Sequence, residues 1–554
     1  MSRRRAPRRG AAGAEPATAT VVVAGASAAL LLAGLAVPWA GWLGLRSAGP
    51  GVALLAVVLV AAAWSFREPR LGWVALPVGV LAAALVVWRL RSPPDDPALR
   101  EVRSTAALLL ALAGALSVTV AAALATRRSR LRSRAVTIDA EQRDALRCVW
   151  HALWTSRALV WVAGVLAVLK VGTEPTVKPP PITRPFGSLG DLLTAPATAF
   201  DATSYATIAQ SGYGQHESLE AFFPLYPTLV RAGARSPETT LVIGIAVSVV
   251  AFAVALYLLH RLVALERGRE VAGLAVLLVA FSPMALFFSA VYTESLFLAL
   301  SVGAFYAARR GWWWLAGIAG GLAAMTRVSG VLLLVPLAIL YLYGPRGDRP
   351  ATGPRVGSRL RPRFPLQPSA AWLLLVPAGL LTFAAYTGAH GDALAPLHAN
   401  EQYWHRDFVP GLGAVDGLVD AWRSLREIAG SQVLSTPTLQ EAGQLSDPLK
   451  LAGANLTDFA FLVLGAIACV GAFRRLPAAY GAYVLATLAI AVSSVAPHEP
   501  LASVPRYLLV AFPCQVWLAV WAAGSGGRRQ ACLLVSAGLL AFFAGQFATW
   551  RWVA

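Results

Sequence analysis

Apolar runs of roughly 17 to 25 residues recur along most of the chain, and no other feature restricts its possible folds so sharply. Each run is long enough to cross a hydrocarbon core about 30 Å thick as a helix, and a helix satisfies its own backbone there. Composition agrees, with 57% of the 554 residues hydrophobic and 14% charged and a mean hydropathy of +0.61. The expectation is an all-α polytopic membrane protein.

A net charge of +19 raises the question of nucleic acid. The arginines answer it, because they gather between apolar runs: Arg3 to Arg9, Arg127 to Arg134, Arg261 to Arg269, Arg309 with Arg310, Arg346 to Arg363, Arg474 with Arg475, and Arg528 with Arg529. That is the positive-inside pattern of cytoplasmic loops, and it leaves no nucleic-acid partner to explain. Alternating runs against these loops gives about fifteen transmembrane helices in the plasma membrane, with a cytoplasmic N-terminus. The basic start followed by a long apolar run reads as a first spanning helix rather than a signal peptide.

The first four helices, near 18–44, 50–66, 71–89 and 104–125, are almost purely Ala, Leu, Val and Gly. A charged stretch, Arg127 to Arg147, follows as linker or surface helix. It suggests an N-terminal four-helix module over 1–147 and a second membrane module over 148–554. Cys148, Cys469, Cys514 and Cys532 lie in or beside apolar runs without a CxxC spacing, and read as packing residues.

Polar chemistry collects in the loops opposite the arginine clusters. "FDATSYATIAQSGY" sets Phe200, Asp201, Tyr205 and Tyr213 beside a Pro-rich loop. A partly desolvated carboxylate at Asp201 can take a proton from a hydroxyl, or it can simply cap the helix that follows. Glu294 in "VYTESLFLAL" either faces interfacial water, orients an acceptor or pairs with a cation. Arg327 in "MTRVSG" and Arg506 in "VPRYLLVAFP" suit an anion or snorkel to the surface. "HGDALAPLHANEQYWHRDF" adds His390, His398, Trp404 and Arg406, and His498 precedes Arg506. These histidines match no metal-ligand spacing, so no metal or other cofactor is expected, and hydrogen bonds to sugar or phosphate suit them better. Carboxylate, cations and aromatic walls at a membrane surface fit sugar transfer from a lipid phosphate.

Six separated stretches, "FDATSYATIAQSGY", "AFFPLYPTLVR", "FSPMALFFSAVYTESLF", "MTRVSG", "GDALAPLHANEQYW" and "SVPRYLLVAFP", together resemble the PIG-V family of GT-C mannosyltransferases over about 150–525. The resemblance implies a GT-C-like helical bundle with extracytoplasmic loops and short outer helices. It implies inverting transfer from a polyprenyl- or dolichyl-phosphate mannose, with an extracytoplasmic active site and Asp201 as the family's first-loop acid. The family usually has Trp-Asp where this chain has Phe200-Asp201, so an indole NH is lost. By the same resemblance Tyr205 and Tyr213 shape the pocket, and Glu294, Arg327 and Arg506 match later polar positions. The Ala/Arg/Gly-rich composition resembles that of a high-GC actinobacterium, which implies a cell-envelope glycolipid, lipoglycan or glycosylated protein as acceptor. Two rivals stand beside this reading: a lipid or glycan transporter or flippase, and a non-catalytic scaffold that keeps the fold.

Overall fold

The computed structural model describes residues 140–175, 177–348, 362–430, 448–497 and 499–553, all within the second of the chain's two units, Val136–Ala554. The four helices expected before residue 126 lie outside the described residues. The first described helix, α1 (Ala140–Val171), runs unbroken through 147 and 148.

After α1 the chain makes three short helices, α2 (Gly187–Thr194), α3 (Ala202–Ser211) and α4 (Leu225–Arg231). Prolines at 196, 224 and 227 keep this stretch from forming one long helix. α5 (Pro237–Arg267) starts cleanly: Pro237 takes the first turn, and the Ser236 and Thr239 side chains each accept the other's backbone N–H. α6 (Arg269–Ala280) is shorter than the apolar run that contains it. Phe281 and Ser282 run into Pro283, and a 3-10 turn over Ala285–Phe288 replaces the rest of the helix.

α7 (Glu294–Arg310) and α8 (Trp313–Ala324) follow, and "TRVSG" turns the chain into α9 (Leu334–Tyr343). A Cβ on Gly330 would lie 2.4 Å from the Ala323 backbone, so only glycine lets this turn fold against α8. Then come α10 (Leu375–Ala389), α11 (Ala395–Trp404), β1 (Asp407–Phe408) and α12 (Leu412–Gly430). The last part comprises α13 (Pro448–Arg475), α14 (Ala478–Ala491), β2 (Ser494–Val495), α15 (Val504–Val510), α16 (Pro513–Ala522) and α17 (Gly526–Ala548). β1 and β2 pair antiparallel, with Asp407 opposite Val495.

The packing centres on α5 and α7, with α1 against α17, α8 against α7 and α10, and α13 against α12, α14 and α16. Among the described residues, five helical segments are long and apolar enough to cross a membrane: Glu141–Val171, Pro237–Arg267, Pro368–Ala389, Ala452–Arg475 and Gly526–Ala548. A sixth forms if α15 and α16, bent by 72°, are one broken span. This is a helical membrane protein. The described residues yield fewer full-length spans than the sequence suggested, because α6 stops before Pro283, α8 starts after Gly311 and α14 starts after Pro477.

The bundle has two chemically distinct ends. At one end the arginine-rich loops converge on a few acids: Arg309 on Glu266, Arg529 on Glu270, and Arg261 and Arg269 near Glu141. Tyr480 also donates to Glu266 at 2.8 Å. α7 runs 17 residues from Glu294 to this basic end, a rise of about 25 Å. Asp201, Glu294, Arg327 and Arg506 sit at the other end.

Candidate active site

The first candidate, Asp201, stands at the N-cap position of α3, yet its side chain makes no capping bond. It reaches instead across the fold: Arg506 Nη1 donates to Asp201 Oδ2 at 2.8 Å. Arg506 lies on the short helix α15, and its Nε and Nη2 donate to Glu294 Oε1 at 3.0 and 2.9 Å. Arg327, at the "TRVSG" turn, donates to the same oxygen through Nη1 at 2.8 Å. Four residues from four parts of the chain thus form one network. The capping alternative for Asp201 loses its physical basis.

The quartet carries two negative and two positive charges and is largely dry. Glu294 is fully buried, and the side chains of Arg506, Arg327 and Asp201 are 10%, 14% and 20% exposed. Charges this buried persist only when paired and hydrogen-bonded. Glu294 Oε1 collects three N–H donors, while Oε2 has no partner among the described residues. Asp201 has one oxygen held by Arg506; Oδ1 has no protein partner among the described residues. One anchored oxygen and one open oxygen is the arrangement a proton acceptor needs.

Aromatic groups fix this geometry. The Arg506 guanidinium lies 5.1 Å from the ring centres of both Phe287 and Tyr292, and Arg327 lies 5.5 Å from Tyr507. Tyr292 Oη accepts the Asp201 backbone N–H at 3.0 Å and donates to the Ala199 carbonyl at 3.1 Å, clamping the start of α3. Phe200 has φ +55, a left-handed conformation unusual for a bulky residue. Its ring is held 5.7, 5.3 and 5.4 Å from Phe547, Trp550 and Trp552. The Phe200 side chain therefore serves as an anchor among C-terminal aromatics. Phe200→Ala is expected to lose these ring contacts, at about 2 kcal/mol, seen as a lower thermal unfolding midpoint in detergent.

The other candidates divide. Tyr205 belongs to the site wall: it is buried, 3.5 Å from Thr293 Oγ1, and edge-on to Phe222 and Tyr226. Phe222 in turn meets Trp404 at 5.4 Å. Tyr213 acts one layer back, donating to the Phe222 carbonyl at 2.7 Å. Arg406 donates to Ser503 Oγ at 3.2 Å, makes no ion pair among the described residues, and feels the charges of Asp201, Arg506 and Glu499. His390 and His398 are not brought to the quartet. His390 bonds the Tyr386 carbonyl at 2.8 Å, and His398 pairs with Asp392 at 2.6 Å on the surface. His498 lies outside the described residues. Among the described residues, no group of three or more His, Cys, Asp or Glu side chains is arranged to hold a metal ion.

Sequence reasoning missed several contributors. Tyr292 sits inside a quoted stretch, but nothing local distinguishes it. Arg157 gave a signal that was available, a cation within an apolar run. It is 4% exposed and donates to the Ala285 carbonyl and to Ser289 Oγ, each at 2.7 Å. That pins the turn between α6 and α7 which carries Phe287 and leads to Tyr292 and Glu294. Asp458, 4% exposed at the start of an apolar run, gave the same kind of signal.

Fold and site together define a helical membrane protein with a buried acid–arginine network at one end of its bundle. Residues 187–340 match the family model described as Mannosyltransferase (PIG-V). It is similar to the GPI alpha-1,6-mannosyltransferase 2 of Mus musculus, 31% identical over 235 residues, which cover 39% of this chain and 46% of that protein. The protein of that name from Rattus norvegicus is 34% identical over 170 residues, covering 28% of this chain and 34% of its own length. The chain thus spans less than half the length of each of these relatives. No solved structure matches. Asp201, Glu294 and Arg327 lie within the matched family segment, whereas Arg406 and Arg506 lie beyond it.

Proposed function

We propose that the protein is a mannosyltransferase that uses a polyprenyl-phosphate mannose donor, with Asp201 as general base. The observation that carries this reading is the Asp201–Arg506–Glu294–Arg327 network, which holds one carboxylate oxygen of Asp201 and leaves the other open. The acceptor hydroxyl gives its proton to Asp201 Oδ1 while its oxygen attacks the anomeric carbon. The bond from that carbon to the phosphate oxygen breaks, its electron pair leaves with the lipid phosphate, and the anomeric configuration inverts. The sugar identity rests on the family match and on the names of the two relatives.

Cation accounting assigns the phosphate. Arg506 and Arg327 are already paired with carboxylates, whereas Arg406 is beside them without an ion pair among the described residues. Burial pushes the nearby Glu499 carboxyl up, and Glu499 makes no ion pair with Arg406 among the described residues, so the Arg406 charge is open to an anion. Arg406→Gln is expected to lower kcat/KM about 10- to 100-fold, the effect of losing charge-assisted hydrogen bonds to the phosphate. Initial rates against donor concentration check it.

The site lies at the end of α7 opposite the arginine-rich loops. With those loops in the cytoplasm, by the positive-inside tendency, it faces the extracytoplasmic side, where the acceptor is a cell-envelope glycolipid or glycan. The direct test is mannose transfer from polyprenyl-phosphate mannose by membranes containing the wild-type protein. Transfer above that of empty membranes supports the reading. Folded protein that transfers no mannose from this donor would overturn it.

A further inference from the structure

Away from the candidate active site, at the basic end of the bundle, α13 and α16 part around a cavity of about 660 Å³. Its walls are apolar: Ile467 and Val470 on α13, Trp517 and Trp521 on α16. Its rim is cationic: Arg474 and Arg475 close α13, and Arg528 opens α17. The cavity is shaped by a close approach, because a Cβ on Gly471 would overlap the Trp517 ring at 2.0 Å. Arg528 is held over Trp521, 5.0 Å from its ring centre.

Charge at this end is distributed unevenly. Three neighbouring arginines meet acids: Arg309 has Glu266, Arg529 has Glu270, and Arg346 has Asp348. Arg474, Arg475 and Arg528 have no ion pair among the described residues. Part of the role of Arg474 and Arg475 is to face the negative C-terminal end of α13. That accounts for neither the cavity nor Arg528, which approaches it from a different helix. The apolar wall belongs to a helix segment long and apolar enough to span, Ala452–Arg475, and Ile467, Val470 and Trp521 are each about half exposed.

We propose that this groove binds an anionic phospholipid of the surrounding bilayer, its phosphate among Arg474, Arg475 and Arg528 and its acyl chains along Ile467, Val470 and Trp521. Charge complementarity selects the occupant. Three unpaired guanidiniums over an apolar slot at the end of a span fit a phosphate that carries a hydrocarbon tail. A zwitterionic lipid offers the tail without the net charge, and inorganic phosphate offers the charge without the tail.

Native mass spectrometry of the full chain in detergent tests this, with phosphatidylglycerol, phosphatidylcholine or inorganic phosphate added separately. The wild type is expected to retain phosphatidylglycerol with at least about tenfold higher apparent affinity than phosphatidylcholine. Combined Arg474→Gln, Arg475→Gln and Arg528→Gln should abolish that preference, whereas combined Arg267→Gln and Arg310→Gln, at the same end but outside the groove, should keep it. Thermal unfolding supplies a second readout, a midpoint raised by phosphatidylglycerol in the wild type and unmoved in the triple variant. Equal retention of both lipids, or an equal loss of preference in the two variants, would overturn the proposal. So would binding of inorganic phosphate as tight as that of phosphatidylglycerol. None of these readouts depends on sugar transfer, so they stand or fall apart from the reading of Asp201.

Discussion

Asp201→Asn is expected to lower mannose transfer by about 10²- to 10⁴-fold, the range that general-base catalysis contributes. The substitution keeps size and shape, and the amide oxygen can still accept the 2.8 Å bond from Arg506 Nη1. What it removes is the ability of the second oxygen to receive a proton. The effect should therefore appear in kcat, with KM for the donor and the thermal midpoint close to wild type. Initial rates with saturating polyprenyl-phosphate mannose, at equal amounts of folded protein, measure it. Unchanged transfer would remove Asp201 from the chemistry, and a collapse of stability in this variant would mean that the network needs its charge for folding. Asp201→Glu sharpens the test. It keeps the acid but moves it by about one methylene, and a misplacement near 1 Å is enough to cost about 10²-fold.

How much of this was readable beforehand follows from range. The helical membrane class was legible because hydrophobic length is a local property of each run. Asp201, Glu294, Arg327 and Arg506 were legible as separate anomalies, polar residues beside apolar walls. Their joining was not, since Arg506 and Asp201 are 305 positions apart and only the fold brings them together. The Phe200 anchor was equally hidden, because its partners Phe547, Trp550 and Trp552 come from the end of the chain. His390 and His398 stand apart from that network. They are chemically capable residues in a polar segment, and their hydrogen bonds stay within α10, α11 and the turn between them. Crossings were hard to place where Pro and Gly break a run, as Pro283 does after α6. α12 was unforeseen as well: Val415, Leu418, Trp422 and Leu425 leave an apolar stripe exposed on a helix whose charges interrupt any simple apolar run.

The second large effect belongs to Arg506, whose single guanidinium satisfies two carboxylates at once. Arg506→Met should destabilise the fold by about 3 kcal/mol, because it leaves a buried pair with a net negative charge and strips Glu294 Oε1 of two of its three donors. Glu294→Gln should be costly for the converse reason, leaving Arg327 without its carboxylate and Arg506 with only Asp201. Combined, the two substitutions remove one charge of each sign. The double variant is therefore expected to recover most of the lost stability, so that the two single costs are far from additive. Transfer should not recover, because Asp201 then has no anchor for Oδ2 and its open oxygen loses its aim. Thermal or denaturant unfolding of the two single variants and the double variant gives the coupling, and mannose transfer by the same samples gives the function. Additive stability losses would show that the network is not a unit. Recovered transfer would show that Arg506 holds the fold together without positioning the base.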